Sequence, residues 1–476
     1  MKQVVLRKHQ QKALDNTVKA IRKGLGKTVG RIVIPTGGGK TIIEAKVIDF
    51  QRKENSHTRI HLVLSPRIVL AQQLLAEYRD VLGYDIRALA FHSGTHSDWE
   101  EDDNINWKEV STTNLAVVQE QYQVAQKAGV DLIVFSTYHS ADRLSNIEFD
   151  TMIADESQYC VTKNFNKTIQ SLQARVKLFF TATEKFTTGK KGLGLNNESI
   201  FGKRIFVVSA AELIRLKIII PPRLHVMYCG TKGEESDSIV TQVSELAMAQ
   251  NQITMKLLGF SKILFALNGT EEVKKITDNL DKLKNKFPKH SIFTITSKTG
   301  AFVDGVKIKK EDFLEKLSLC TNALIFHYDI LSEGIDVDGI TGVAIMRNMG
   351  LAKLLQTIGR ALRIYKPNPK LKPYALVSVP VLNGDEADKD RLRDIIETIR
   401  LGGFDISKED IIETGKPLHQ GDEEGQDNAY GDKKKSKAKG ILIDILHEIE
   451  DTNFLKSLYV AKSFKQKMNI LAKEIA

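Results

Sequence analysis

The segment PTGGGKT (35–41) constrains the fold of this chain more than any other stretch, because of what flanks it. VGRIVIP (29–35) reads as a short buried strand, and a helix follows the glycines. Glycines between a strand and a helix let the backbone turn tightly, so that amides and a helix N-terminus point at one spot. Gly37, Gly38 and Gly39 are therefore candidate phosphate binders, with Lys40 reaching the outer phosphates of a nucleoside triphosphate and the Thr41 hydroxyl placed for Mg²⁺. A glycine turn of purely structural use is the alternative. The first glycine of the general GxxxxGKT pattern is missing, since Ile34 occupies its place.

The strand and helix alternation begun there continues. Ala13, Leu14, Val18 and Ile21 stand at helical spacing before the first strand. After the turn come RIHLVLS (59–65), a helix of about 67–80, DIRALAF (85–91), DLIVFST (131–137), TMIADE (151–156) and VKLFFTA (176–182). Apolar strands separated by helices predict a mostly parallel sheet covered on both faces. A second series predicts a second α/β domain: KILFALN (262–268), a charged helix over 271–284, SIFTIT (291–296), NALIFHY (322–328), GVAIMRN (342–348), a helix over 352–364 and ALVSVPV (375–381). Between the two, GKKGLG (189–194), a helix over 209–217 and RLHVMYC (223–229) leave the boundary loose. SDWEEDDNINW (97–107) is acidic and polar, hence a surface loop. A helix over 385–402 precedes a polar stretch, 414–440, whose composition builds no core and reads as a flexible linker. Beyond it, Ile441, Ile445, Leu446 and Ile449 share one helical face of a tail, 441–476, which suits docking onto the body and onto a protein partner equally.

Composition narrows the class. A chain of 476 residues, 42% hydrophobic, fills about three domains, which excludes disorder throughout. Lys plus Arg outnumber Asp plus Glu, 69 to 59, which favours an anionic partner; an unengaged cationic surface gives the same count. Cys160, Cys229 and Cys320 are too far apart for a metal-ligand spacing and fit a reducing compartment. No run approaches about 18 apolar residues and no secretory stretch opens the chain, so an intracellular location without membrane contact is expected.

Asp155 and Glu156 close TMIADE on the edge of the sheet where the glycine turn lies. Hydrolysis assisted by Mg²⁺ needs one carboxylate near the ion and a second to orient or deprotonate water; Asp155 suits the first role and Glu156 the second. An Asp-Glu pair alone is more often a solvated strand end. Its place about 115 residues after the phosphate loop, beyond a series of strands, gives it weight. Farther on, Gln356, Arg360 and Arg363 stand at i, i+4 and i+7, one face of a helix.

Taken in order, these segments resemble superfamily 2 helicases over roughly residues 4–382. LRKHQ (6–10) resembles the adenine-recognising element, which implies Gln10 on the base and Arg7 nearby. PTGGGKT resembles the family's phosphate loop, while SPRIVLAQQ (65–73) and STYHS (136–140) resemble its DNA-facing motifs, implying Arg67, Thr137 and Ser140 as nucleic-acid contacts. DESQ (155–158) stands where the family has DEAH, DEAD or DECH, and TAT (181–183) resembles the motif that couples hydrolysis to movement. SEGIDV (332–337) and QTIGRALR (356–363) match the last two motifs.

The resemblance implies tandem RecA-like α/β domains, 1–222 with part of a connector and 223–402, then an extension and linker, 403–440, and the helical tail. It implies ATP and Mg²⁺ as cofactors, bound between the domains. Lys40, Glu156, Arg360 and Arg363 would be catalytic; Arg7, Gln10, the three glycines, Thr41, Gly334, Asp336 and Gln356 would hold the nucleotide; Thr41 and Asp155 would hold the metal. The implied activity is ATP hydrolysis driving translocation on, or unwinding of, DNA, duplex or single-stranded. An RNA-dependent ATPase and a clamp or scaffold with negligible turnover are the rivals. FHSG (91–94), STTN (111–114), VFSTYHS (134–140), TATEKF and IFGKRIFVVSAAELIRLKIIIPP look like the motor portion of single-chain restriction enzymes, which often runs along duplex DNA. Two departures stand out. DESQ lacks the terminal His or Asp that touches the coupling motif, so Gln158 must take that role, and TATEKF lacks the proline common after TAT.

Overall fold

The computed structural model describes residues 4–415 apart from 55–56, 84–85, 94–110, 187–191, 232–237, 329–336, 338, 366–367, 369, 384–385 and 405. The acidic loop 97–107, the first half of GKKGLG, Gly334 and Asp336, the linker beyond 415 and the tail 441–476 thus lie outside the described residues. The described residues of 1–221, 329–339 and 350–373 form one compact unit, and those of 222–328, 340–349 and 374–415 belong to a second. Both are α/β units of the RecA-like class with mostly parallel sheets.

In the first unit the chain runs α1 (Lys8–Lys23), β1 (Thr28–Val33), α2 (Lys40–Glu54), β2 (Ile60–Ser65), α3 (Ile68–Leu82), β3 (Ile86–Phe91), β4 (Ser111–Thr112), α4 (Leu115–Ala128), β5 (Asp131–Thr137), β6 (Glu148–Ala154), α5 (Lys163–Ser171), β7 (Gln173–Thr181), α6 (Glu198–Phe201), β8 (Lys203–Val207) and α7 (Ala210–Arg215). The sheet order is β4-β3-β5-β2-β6-β7-β1-β8, parallel throughout. Every residue of β2 and β5 is buried, as unbroken apolar strands between two helix layers require. Phe179 and Phe201 meet edge to face at 5.0 Å within the core, each side chain contributing about 2–3 kcal/mol by burial. Register fixes the functional edge: Val33 pairs with Thr181, Ser65 with Thr137 and Leu64 with Ala154, so the loops leaving β1, β2, β5, β6 and β7 open on the same side.

The rest of the chain forms β9 (Pro222–Thr231), α8 (Ile239–Leu258), β10 (Lys262–Ala266), α9 (Thr270–Asp278), α10 (Leu280–Lys286), β11 (Ser291–Thr296), β12 (Gly300–Val303), β13 (Val306–Ile308), α11 (Lys310–Leu319), β14 (Ala323–His327), β15 (Gly342–Ile345), α12 (Leu351–Ala361), β16 (Ala375–Asn383), α13 (Glu386–Leu401) and β17 (Ile411–Gly415). The second sheet, β13-β12-β11-β14-β10-β15-β16-β9-β17, is parallel except for the β11-β12-β13 meander. Phe265 and Phe326 stack at 4.8 Å in its core.

Four readings differ from the structure in detail. The helix expected over 271–284 is two, broken at Asn279, whose side chain donates to Lys275 O at 2.9 Å and competes with the helical ladder. The helix expected over 352–364 stops at Ala361, so Arg363 is not on its face. The backbone there turns to Ile219 and Ile220 instead: Ile219 bridges Arg363, and Ile220 N–H donates to Leu362 O at 2.9 Å. That attachment, with Gly359 against Thr36, packs segment 350–373 into the first unit, although by sequence it falls in the second. Finally, residues 411–415, expected within an extension, form β17 alongside β9.

Candidate nucleotide site

The phosphate loop is shaped by contacts on both sides. Gly37 and Gly39 have φ of 85° and 77°, a region L side chains rarely adopt. A Cβ on Gly37 would stand 2.9 Å from Ile219, and one on Gly38 or Gly39 would collide with Ile34 or Gln10. α1 presses its first turn onto the loop: His9 Nε2 donates to Gly38 O at 2.7 Å and Gln10 Nε2 to Gly39 O at 3.3 Å. The Arg7 N–H donates to Gln10 Oε1 at 2.9 Å, so the Gln10 amide is engaged at both ends while the residue still lines the cavity.

Charge accumulates behind the loop. Lys40 Nζ lies 3.3 Å from Glu156 Oε1, both nearly buried. Burial alone would lower the Lys40 ammonium, but Glu156, Asp155 and Glu44 around it hold it above its ordinary value. Burial and the neighbouring Glu156 push Asp155 up to about 7. Glu156 goes the other way: burial opposes ionisation, but Lys40 and hydrogen bonds from Gln158 and Gln356 hold it below the usual carboxylate range. Glu44, fully buried on α2 and accepting from Tyr78 Oη at 3.3 Å, is pushed well up by burial and by Asp155. The site therefore sets Glu156, shifted toward the carboxylate, beside Asp155 and Glu44, which burial shifts toward the neutral form.

Glu156 sits just past β6 at φ 50°, ψ 47°, a left-handed conformation rare for a non-glycine residue, with its N–H donating to Asp155 Oδ1 at 2.9 Å. Gln158 joins it to the next strand: Gln158 Nε2 donates to Glu156 Oε2 at 2.8 Å, and the Thr181 hydroxyl donates to Gln158 Oε1 at 2.7 Å. The residue standing in place of the usual His or Asp thus touches both the acid and TAT. Where proline is common after TAT, Glu184 binds buried Arg31 at 2.8 Å and Arg204 at 2.6 Å, tying that loop to the sheet.

These groups open on one cavity of about 1330 Å³, within the first unit. Arg7, Gln10, Gly37, Gly39, Lys40, Thr41, Asp155, Glu156, Gln356, Arg360 and Arg363 line it; Gly38 shapes the loop beside it. α12 approaches closely because a Cβ at Gly359 would lie 2.6 Å from Thr36. Sequence reasoning missed Glu77, on α3, which lines the same cavity, accepts the Thr41 hydroxyl and faces Arg363. Its polarity alone reads as a solvated helix face. Arg67, Thr137 and Ser140 are not in the cavity. Arg67 is exposed at the N-terminus of α3; Thr137 is buried, its hydroxyl accepting the Ser140 N–H at 3.2 Å. The Ser65–Thr137 pairing puts all three beside one stretch of the sheet edge.

The residues present fit a nucleoside triphosphate with its metal. The cradle has no room for a Cβ, a cation stands at its base, and the Thr41 hydroxyl and Asp155 carboxylate line the same space.

Residues 3–186 match the family described as the type III restriction enzyme res subunit. A DNA 3′-5′ translocase of Sulfurisphaera tokodaii, XPB2, is 21% identical over 385 residues, covering 73% of this chain and 78% of that protein. The ATP-dependent type ISP restriction-modification enzyme LlaBIII, solved bound to DNA, superposes with a TM-score of 0.68 at 15% identity over 88% of this chain. A nuclease-deletion mutant of the type ISP enzyme LlaGI, with a DNA substrate mimic, gives 0.61 at 17% identity over 86% of this chain. This chain spans 32% and 30% of those two enzymes. Among the described residues no helix is long and apolar enough to cross a membrane. The chain is thus similar to the res-subunit family over residues 3–186 and shares its fold with the two type ISP restriction-modification enzymes.

Proposed function

We propose that this chain hydrolyses ATP under stimulation by nucleic acid and uses the energy to move along DNA. The observation that carries the reading is the convergence of Lys40, Thr41, Asp155, Glu156, Arg360 and Arg363 on one cavity, with Gln158 linking Glu156 to Thr181. When bound, Mg·ATP supplies the scissile phosphoanhydride and the cation that neutralises it. Lys40 and the loop amides would hold the outer phosphates, and Thr41 and Asp155 the metal. Glu156, kept ionised by Lys40, would orient water and accept its proton. Arg360 and Arg363 would face charge developing on the phosphoryl group. Arg67, Thr137 and Ser140, outside the cavity on the same sheet edge, are the proposed track contacts, made to phosphates and hence without sequence preference. DNA is favoured over RNA because XPB2 is named as a DNA translocase and both restriction enzymes were solved with DNA or a DNA mimic. In the proposed division of the chain, the described units carry the motor, and residues 441–476 serve a protein partner.

The test is steady-state ATP hydrolysis with Mg²⁺, measured without nucleic acid and with single-stranded DNA, duplex DNA and RNA. Activation by duplex DNA at least about tenfold above RNA is expected. A nucleotide-binding protein that none of the three activates would overturn the motor, and activation by RNA alone would overturn the choice of DNA.

A further inference from the structure

A second cavity, of about 270 Å³, lies in the first unit at the opposite end of the same elements. α1 begins at the phosphate loop and ends here with Arg22, followed by Leu25 and Gly26; α2 begins at Lys40 and, roughly 22 Å on, ends here with Phe50, Gln51 and Glu54. Arg59 before β2, Asp150 near the start of β6 and Arg175 near the start of β7 complete the polar lining. The nucleotide cavity uses the carboxyl ends of these strands, so nothing in this second cavity belongs to it.

Its polar groups are unevenly satisfied. Gln51 is 6% exposed; its Oε1 accepts the Thr151 hydroxyl at 2.7 Å, but its Nε2 is buried without a hydrogen-bond partner. A buried donor left unpaired is destabilising, and one lining a cavity points to an acceptor that the chain itself does not supply. Arg175, whose Nη2 reaches to within 3.3 Å of where a Gly26 Cβ would stand, has no carboxylate partner among the described residues. Arg59, 6% exposed, adds a third donor group. The two acids are already engaged: Glu54 by Arg22 at 2.6 Å, and Asp150 by the Ile60 N–H at 3.0 Å. Arg22 also lies 5.1 Å from the Phe50 ring centre, which holds that wall in place. Over the cavity Leu25 is held at φ 50° and 88% exposed, a conformation that costs energy and brings no burial in return.

We propose that this second cavity binds a small oxyanion of the phosphate class. Three guanidinium groups and the Gln51 amide supply N–H donors to anionic oxygens. The Asp150 carboxylate on the same lining favours a ligand that also carries an O–H, as hydrogen phosphate does and sulfate does not.

The test is equilibrium binding of inorganic phosphate, with sulfate at matched ionic strength as comparator, to the full chain carrying Lys40→Ala. That substitution removes the phosphate-loop ammonium, so binding at the nucleotide site does not mask the second cavity. Saturable phosphate binding at about millimolar concentration is expected, with sulfate roughly fivefold weaker, and Arg175→Ala in the same background weakening phosphate about tenfold. Arg175 is exposed, and an unchanged melting temperature confirms that its removal leaves the fold intact. No saturable binding, equal binding after Arg175→Ala, or equal binding of sulfate each overturns the assignment. The outcome is independent of whether the chain hydrolyses ATP.

Discussion

The two units share a parallel-sheet design but bury different polar chemistry. At the strand ends of the first unit, Lys40, Glu44, Asp155 and Glu156 crowd together, with two acids pushed up and one held down. Where the second unit pins its edge strands, the buried polar group is an imidazole among hydroxyls. His225, fully buried on β9, contacts Ser378 Oγ on β16 and Thr414 Oγ1 on β17, each at 2.8 Å, and burial pushes it down to about 4. Ionisable groups in opposition are costly and are retained where they line a cavity; hydroxyl and imidazole pairs are enough to pin an edge strand. The difference is in keeping with the chemistry proposed for the first unit's sheet edge, while His225 joins β9 to β16 and β17.

The sharpest way to break this comparison is Glu156→Gln. Loss of the ionised acid should lower hydrolysis at least about a hundredfold with the melting temperature retained, read by steady-state phosphate release. Undiminished turnover would remove the crowded edge from the chemistry. Gln158→Ala should come next. It cuts the link between Glu156 and Thr181, so hydrolysis without nucleic acid should stay within a few-fold while stimulation falls by about tenfold.

Stability against pH separates the two units with opposite signs. Asp155 is pushed from an ordinary 3.8 up to about 7, so between those values the folded state keeps a proton that the unfolded chain has lost. That contribution to stability is present at the low end and lost as pH rises through about 7. Asp155→Asn should therefore raise the melting temperature of the ligand-free protein by several degrees at pH 8, with the gain shrinking toward pH 4. His225 is lowered from 6.5, so the unfolded chain gains a proton that the folded state refuses, and stability falls as pH drops from about 6.5 toward 4. Hydrogen exchange of the β9 and β17 amides should quicken over that range, and His225→Asn, which does not titrate, should flatten the dependence. This is the smallest of the four effects.

How much of this was legible in the sequence depended on range. The strand-turn-helix around PTGGGKT, the acids after β6 and the two-unit α/β plan are short-range patterns, and each has the place in the sheet that its pattern predicts. Spacing alone predicts a helix through Arg363; the backbone bond between Ile220 and Leu362, formed across 142 residues, ends it first. Glu77 carries no local signal, because its significance lies in facing Thr41 from another helix. β17 is short, buries none of its residues fully and becomes a strand because β9 offers it an edge. Gln158 was legible as a departure from a motif, whereas its two hydrogen bonds became visible only with the fold.

Movement itself is the central claim, and displacement of a third strand from a triplex on duplex DNA measures it most directly. With Mg·ATP, displacement is expected whose delay grows with the length of duplex between entry point and triplex, and none is expected with Glu156→Gln. ATP hydrolysis stimulated by duplex DNA without any displacement would contradict it.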